Sequence, residues 1–231
     1  VGDGGFAPRG LRPFGKVDID WVDAETLTEE NTAARLGQAD GILVPGGFGS
    51  RGIEGMVLAC KFAREHQVPY LGICLGMQVA VIEFCRHVCG IKDANSGEFD
   101  EYGLNKVIDF MPGQNKERDK GGTLRLGSYP CQVKPGTKLW DCYGQDLIHE
   151  RTATGTSSTT TTGTRWSRPA WCSRAPARRP YRGDGGALPP PFFVAGQFHP
   201  EFKSRPNRPH PLFAGFMKAA LARHREREEH R

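Results

Sequence analysis

Cys74 stands between two glycines in Gly72-Ile73-Cys74-Leu75-Gly76-Met77-Gln78, directly after the apolar run Pro69-Tyr70-Leu71 and at the start of a stretch with helical spacing. Glycine, any residue, cysteine, any residue, glycine at the exit of a buried strand is the pattern of a nucleophile elbow. Such a turn admits only glycines beside the nucleophile and lifts its side chain off the sheet. A thiol in that position faces the positive end of the following helix, so the spacing predicts a site that favours thiolate over thiol. A cysteine nucleophile also needs a base to hold its proton and a third group to orient the base. His199 and Glu201 stand two apart after a strand-like run, with Pro200 fixing the backbone between them. On an extended backbone that spacing sends both side chains to one side. Cys74, His199 and Glu201 are therefore read as a catalytic triad, defined by role and not by chain order. Gly46 and Gly47, within Pro45-Gly46-Gly47-Phe48-Gly49, offer backbone N–H groups that with the N–H of Leu75 would form an oxyanion hole.

Each feature alone has a plainer explanation: an isolated cysteine is mostly inert core, a histidine before proline a satisfied turn residue, and a Gly-Gly pair a turn. Their order along an alternating α/β chain favours catalysis. The elements that must position them are short. Val17–Val22 alternates apolar and acidic residues like a strand near a sheet edge. Thr28-Glu29-Glu30-Asn31 offers a hydroxyl cap and early acidic residues to a short helix through Leu36. Gly41–Val44 reads as a buried strand, Glu54–Glu65 as a helix with Val57, Leu58, Phe62 and Ala63 inward, Pro69–Ile73 as the next buried strand and Leu75–His87 as the next helix. Strand and helix alternating through short connections predict an α/β fold, a flavodoxin-like, doubly wound and mostly parallel sheet with helices on both faces. In such sheets ligands collect beyond the carboxyl ends of the strands, where both glycine-rich loops fall. Gly90–Leu126 weakens into loops, Phe192–Phe198 is strand-like, and Leu212–Arg225 reads as a helix fraying into a charged tail.

Bulk properties narrow the class. The 231 residues hold 38% hydrophobic residues and 30 glycines, which suits an α/β protein rich in turns. No run approaches a membrane span, and the first residues lack the layout of a signal peptide. The balance of 31 basic against 26 acidic residues gives +5, concentrated between Arg151 and Arg182 and without the interleaved aromatics of a nucleic-acid groove. Seven cysteines, an odd number, suggest a reduced, cytoplasmic setting. Cys85 and Cys89 are four apart on the expected helix, but no second pair with zinc-like spacing accompanies them, so burial is expected and no metal site.

These residues carry a resemblance. The loop at 45–49, the elbow at 72–78 and Gly196-Gln197-Phe198-His199-Pro200-Glu201-Phe202 resemble the three signatures of class I glutamine amidotransferase domains. Gly52–Met56, Asp93–Ser96, Gly122–Gly127 and His210–Phe216 resemble the CTP synthase family in particular, and the likeness covers about Val17–Arg151 and Pro191–Ala220. The resemblance implies that Cys74 attacks the side-chain amide of L-glutamine to give a glutamyl thioester and ammonia, with His199 shuttling the proton and Glu201 orienting it. It implies that Gly46 or Gly47, Leu75, Gln78 and Glu98 hold glutamine and the oxyanion, and that Arg51 and Arg125, in the 121–127 loop, lie near the region coupled to an activator. It implies no cofactor in this domain. In the complete enzyme a synthetase domain would use ATP and Mg2+ to aminate UTP, with GTP as activator, and homo-oligomers are expected only there. The sequence given contains no Gly-x-x-x-x-Gly-Lys-Ser/Thr phosphate loop, so it reads as a fragment or a separately encoded half whose partner is that synthetase domain. A γ-glutamyl-type cysteine hydrolase, and an impaired remnant acting as an interaction module, are the alternatives.

The domain is expected to span 17–222, preceded by a poorly matched segment at 1–16 and followed by a charged tail at 223–231. Inside it, 152–190 departs sharply. Thr152–Gly163 has no apolar period, and the stretch after it is rich in Arg, Pro and Gly, which as composition reads as disordered. A sharper reading exists. GC-rich codons for Thr152–Gly163, shifted by one nucleotide, encode His-Arg-His-Arg-Tyr-Glu-Phe-Asn-Asn-Asn-Tyr-Arg, as the family continues, and the same shift turns Trp171-Cys172-Ser173-Arg174 into Leu-Val-Phe-Ser. We read a one-base frameshift after Arg151, corrected just before Phe192. Gly155 then stands where the resemblance places the arginine that pairs with the substrate α-carboxylate. Two or three interior strands would be lost and glutaminase activity would be weak or absent, although the triad itself is present.

Overall fold

The computed structural model describes residues 17–110, 125–154, 156–158 and 192–230. The segment 1–16, the charged run at 115–120, the start of the glycine loop at 121–124, Gly155 and residues 159–191 lie outside the described residues. Three parallel strands position the site: β1 (Ile42–Val44), β2 (Tyr70–Ile73) and β8 (Phe193–Gly196), in the order β1-β2-β8. Register is uninterrupted, with Leu71 beside Leu43 on one side and Val194 on the other. Strand β2 is buried on both faces, as a central parallel strand must be. Its residues alternate between two cores. Tyr70 packs with Val57, Phe62, Val79 and Ile82 of helices α2 (Ile53–Glu65) and α3 (Leu75–His87). Leu71 and Ile73 pack with Phe192, Val194, Leu212 and Phe216, the last two from the final helix, α5 (Pro211–Glu229). Helices thus cover both faces, the doubly wound arrangement that strand-helix alternation predicts. Each such buried aliphatic or aromatic side chain contributes roughly 1.5–3 kcal/mol of transfer free energy.

The second helix of the elbow unit spans Leu75–His87, the same bounds as the helical spacing gives, and the first begins one residue earlier than expected. The short first helix, α1 (Thr32–Leu36), starts later than Thr28, because Thr28 and Asn31 exchange side-chain hydrogen bonds with each other's backbone in a turn before it. Cys85 is fully buried and Cys89 half-buried.

Four local expectations are corrected. Val17–Val22 is not a strand. Val17, Ile19 and Trp21 are exposed, so its alternation finds no sheet edge among the described residues. Gly90–Leu126 is not all loop: it contains β3 (Asn95–Ser96) and β4 (Lys106–Phe110), which pair in parallel, the buried Val107 and Ile108 supplying apolar area that flanking polar residues conceal in sequence. The charged tail does not fray at Arg225. The helix runs to Glu229 because Arg223 donates to the carbonyls of His66 and Gln67, while Arg227 bonds Gln38 and Asp40.

The fourth concerns the break after Arg151. Strand β6 (Leu147–Thr154) pairs antiparallel with β5 (Arg125–Gln132) and continues three residues past Arg151, with Thr152 opposite Gly127. Residues Thr156–Ser158 form β7, antiparallel to β4. Ladder hydrogen bonds use only the backbone, and threonine is β-branched, so a threonine-rich sequence sustains a strand whatever its side chains were meant to do. The reading of 152–163 as unstructured therefore fails at 152–154 and 156–158. A further short helix, α4 (Lys138–Tyr143), lies between β5 and β6, capped by Thr137 Oγ1, which accepts from the Trp140 N–H.

Candidate active site

Cys74 has φ 50° and ψ −99°, a backbone that L residues rarely adopt and that costs about 1–3 kcal/mol. Its surroundings enforce it. Cys74 N–H donates to the Gly196 carbonyl at 2.8 Å, tying the elbow to β8, and its own carbonyl accepts from Met77 and Gln78 of the helix. Gly76 can be nothing else, since a Cβ there would lie 2.2 Å from the Val44 carbonyl oxygen. The elbow is therefore wedged between β1 and β8, and Cys74 sits at the carboxyl end of β2, as the sequence pattern requires.

His199 leaves β8 in an extended conformation and Pro200–Phe202 forms a single 3-10 turn. That turn, more than the extended two-residue spacing, brings His199 Nδ1 to 2.6 Å from Glu201 Oε1. With Nδ1–H donating to the carboxylate, Nε2 is the proton acceptor of the neutral ring. Nε2 is buried and has no hydrogen-bond partner among the described residues. Gly46 lies between His199 and Cys74: a Cβ there would come within 2.8 Å of His199 Cε1 and 3.4 Å of Cys74 Cβ. Cys74, His199 and the Gly46 backbone thus converge on one point.

The Leu75 N–H points at the Cys74 sulfur, and Gly47 packs against the Leu75 side chain, where a Cβ would meet Cδ2 at 3.1 Å. Glu98 Oε1 accepts from the Gly49 N–H at 3.3 Å, pinning the glycine loop to the segment after β3, and Glu98 is close enough for its charge to act on Cys74. Gln78 is 3% exposed and donates to the side chain of Gln197. Arg51 lies apart from this cluster, exposed, in a two-pronged ion pair with Glu25 that raises its pKa. Arg125 opens β5; its side chain lies outside the described residues. Among the described residues no group of three or more His, Cys, Asp or Glu is placed to hold a metal ion, and no helix is long and apolar enough to cross a membrane.

Electrostatics corrects one expectation. Burial pushes the Cys74 thiol up to about 11. The Leu75 and Gln197 N–H groups oppose this, while the Glu201 and Glu98 carboxylates add to it. A helix N-terminus offers at most about 2 kcal/mol to a charge, too little to offset removal from water here. Burial therefore favours the thiol over the thiolate at Cys74. Alkylation of Cys74 by iodoacetamide, read by peptide mass spectrometry, is expected to rise about tenfold per pH unit between pH 7 and 9. A plateau at neutral pH would show a preformed thiolate.

Two features escape the sequence pattern. Gln197 donates from Nε2 to the Cys74 sulfur at 3.3 Å. Behind the His199 turn, Glu150 is buried and its Oε1 accepts from Tyr143 Oη at 3.0 Å and from His210 Nε2 at 3.1 Å, with the Lys203 ammonium 3.3 Å away. His210 Nδ1 accepts from the Leu212 N–H, which leaves Nε2 carrying the proton. The carbonyl of the next residue, Arg151, accepts from the His199 N–H at 2.7 Å. The His199 turn therefore hangs from Arg151 and rests on Glu150. No spacing rule joins positions 143, 150 and 210; only the fold does.

Burial pushes the Glu150 carboxyl up, but the His210 and Tyr143 hydrogen bonds and the Lys203 charge outweigh it and hold it below its usual range. Its contribution to stability is complete above the unfolded value of about 4.3 and is lost as the pH falls through the lower folded value. Glu150→Ala is expected to lower unfolding free energy by about 3 kcal/mol in urea titrations at pH 7, by stranding buried donors. Glu150→Gln should flatten the loss of stability below about pH 4.5 relative to the unaltered chain.

Residues 8–166 match the family model "Glutamine amidotransferase class-I". The chain is 47% identical over 222 residues to CTP synthase of Carboxydothermus hydrogenoformans, an alignment covering 89% of this chain and 39% of that protein. It is 49% identical over 230 residues to CTP synthase of Deinococcus radiodurans, covering 92% and 41%. It spans about two-fifths of the length of these relatives. The glutaminase domain of Trypanosoma brucei CTPS, solved with bound acivicin, superposes with a TM-score of 0.74 at 33% identity, covering 92% of this chain and 83% of that one. A protein from Thermoplasma acidophilum described as a GMP synthase component shares the fold at 15% identity, with a TM-score of 0.52.

Proposed function

Since this chain belongs to the class-I glutamine amidotransferases, as a glutaminase domain of the CTP synthase kind, we propose that it hydrolyses L-glutamine through Cys74, His199 and Glu201. The observation that carries the reading is the convergence of the strained Cys74 and the His199 ring on Gly46. Glutamine enters with its carboxamide carbon over the Cys74 sulfur. His199 Nε2 takes the thiol proton as the sulfur attacks, and the carbonyl oxygen moves into the N–H groups of Leu75 and the Gly46-Gly47 loop. Collapse expels ammonia with that proton and leaves a glutamyl thioester, which a water, deprotonated by the same imidazole, then hydrolyses to glutamate. Glu201 keeps Nδ1 protonated and the ring oriented. Gln78, Glu98, Gly47 and Leu75 hold the substrate, with the Glu98 carboxylate complementing its α-ammonium group.

In a complete enzyme the ammonia would serve amination of UTP by an ATP- and Mg2+-dependent synthetase domain, with GTP as activator and Arg51 and Arg125 on the side facing the effector. The amidotransferase domain is assigned to 17–222. Stopped-time assays with glutamine and with a γ-glutamyl dipeptide test the reaction class. Ammonia released from glutamine in step with glutamate supports it; amino-acid release from the dipeptide with no ammonia from glutamine overturns it in favour of a γ-glutamyl hydrolase.

A further inference from the structure

The side chain of Gln197 lies against the reacting sulfur, from the same chain segment that carries the base. Its Nε2 is 3.3 Å from Cys74 Sγ, and its Oε1 is 3.2 Å from Nε2 of the buried Gln78 on α3. We infer that Gln197, aligned by Gln78, donates a hydrogen bond to the Cys74 sulfur that strengthens as the sulfur gives up its proton, making Gln197 a further catalytic residue of the thiol attack. Hydrogen-bond chemistry and geometry both support this. An amide NH2 group can only donate. A neutral thiol accepts weakly, whereas a thiolate is an acceptor alone, so a fixed donor favours the form in which the sulfur attacks. The donor is fixed at both ends. Gln78 Nε2 occupies the Gln197 oxygen, so rotation of the amide would face two N–H groups at each other, and Gln78 itself lies in the first turn of α3, where its backbone N–H donates to the Cys74 carbonyl.

The arrangement also relates the two halves of the site. Gln197 and His199 are two apart beyond β8, and the Cys74 N–H is bonded to Gly196 immediately before them. One segment, Gly196–His199, therefore holds the nucleophile's backbone, its sulfur and the ring that takes its proton. The gain concerns the step in which the thiol loses its proton, where burial makes ionisation costly.

This inference rests on the reading of Cys74 as nucleophile, and the experiment separates the two. The full chain and its Gln197→Leu and Gln197→Glu variants are treated with iodoacetamide from pH 6.5 to 10, and adducts are quantified peptide by peptide. Cys89, half-buried just beyond α3, serves as the folding reference. Gln197→Leu is expected to slow alkylation of Cys74 about tenfold at pH 8 and to move its pH profile upward, with Cys89 unchanged. Gln197→Glu, which places a second acceptor against the sulfur, is expected to slow it further. An unchanged profile in both variants, or faster alkylation in Gln197→Leu, overturns the inference. If Gln197→Leu alters Cys89 as well, the isosteric Gln197→Glu decides alone. Separately, a glutamine-analogue electrophile that fails to label Cys74 in the unaltered chain would overturn the nucleophile reading, whatever Gln197 does.

Discussion

Replacing Thr152–Gly163 with His-Arg-His-Arg-Tyr-Glu-Phe-Asn-Asn-Asn-Tyr-Arg is expected to raise kcat/KM for glutamine hydrolysis by about 10- to 100-fold, mostly through KM. The reason lies at Gly155, where the family resemblance implies an arginine for the substrate α-carboxylate. A charge-assisted, two-pronged contact contributes roughly 1.5–3 kcal/mol, which is one to two decades. The candidate triad and the residues that hold its turn lie outside 152–163: Cys74 well before it, Glu150 and Arg151 at its edge, and His199 and Glu201 after it. The unaltered chain should therefore keep a reactive Cys74 while binding glutamine poorly. Steady-state kinetics on both chains measure this, with Gly155→Arg alone as the minimal version. Equal kcat/KM in the two would show that the stretch contributes nothing to substrate binding, and sequencing the gene without finding a one-base shift would remove the frameshift reading.

His199→Ala, made in that restored chain so that a large fall remains measurable, is expected to lower kcat by about 10³- to 10⁴-fold with a much smaller change in KM. The size follows from burial. Because the Cys74 thiol is held up to about 11, almost no thiolate exists at neutral pH without a base to take the proton. An ion-paired, preformed thiolate would lose far less. Glu201→Gln should show a milder loss, since His199 Nδ1 retains an acceptor but without its charge. A fall of less than tenfold in His199→Ala would remove the histidine from the proton path.

The two halves of this site were unequally legible. The elbow could be read because its glycines answer to local sterics: Gly76 lies against the Val44 carbonyl, and the helix that starts at Leu75 shows its period directly. The parallel strands could be read because continuous apolar runs such as Tyr70–Ile73 admit few other placements. The thiol's ionisation could not, since it turns on how deeply Cys74 is buried and on carboxylates at positions 98 and 201. Nor could the roles of Gln197 and Glu150, whose partners lie 123, 7 and 60 positions away. Val17–Val22 shows the opposite failure, a strand-like alternation with its apolar side exposed. The threonine run misleads for a different reason: composition speaks to side chains, and the ladder from β5 to β6 needs only backbone.

The central claim is that the sulfur of Cys74 and the imidazole of His199 act together on the carboxamide of glutamine. Treating the chain that carries the replaced 152–163 segment with 6-diazo-5-oxo-L-norleucine and mapping the adducts by mass spectrometry tests it most directly. The account predicts one adduct, on Cys74, suppressed by excess glutamine, abolished in Cys74→Ser and slowed at least about tenfold in His199→Ala. Labelling spread over the other cysteines with Cys74 untouched, or Cys74 labelled at a rate indifferent to glutamine and to His199, would contradict it.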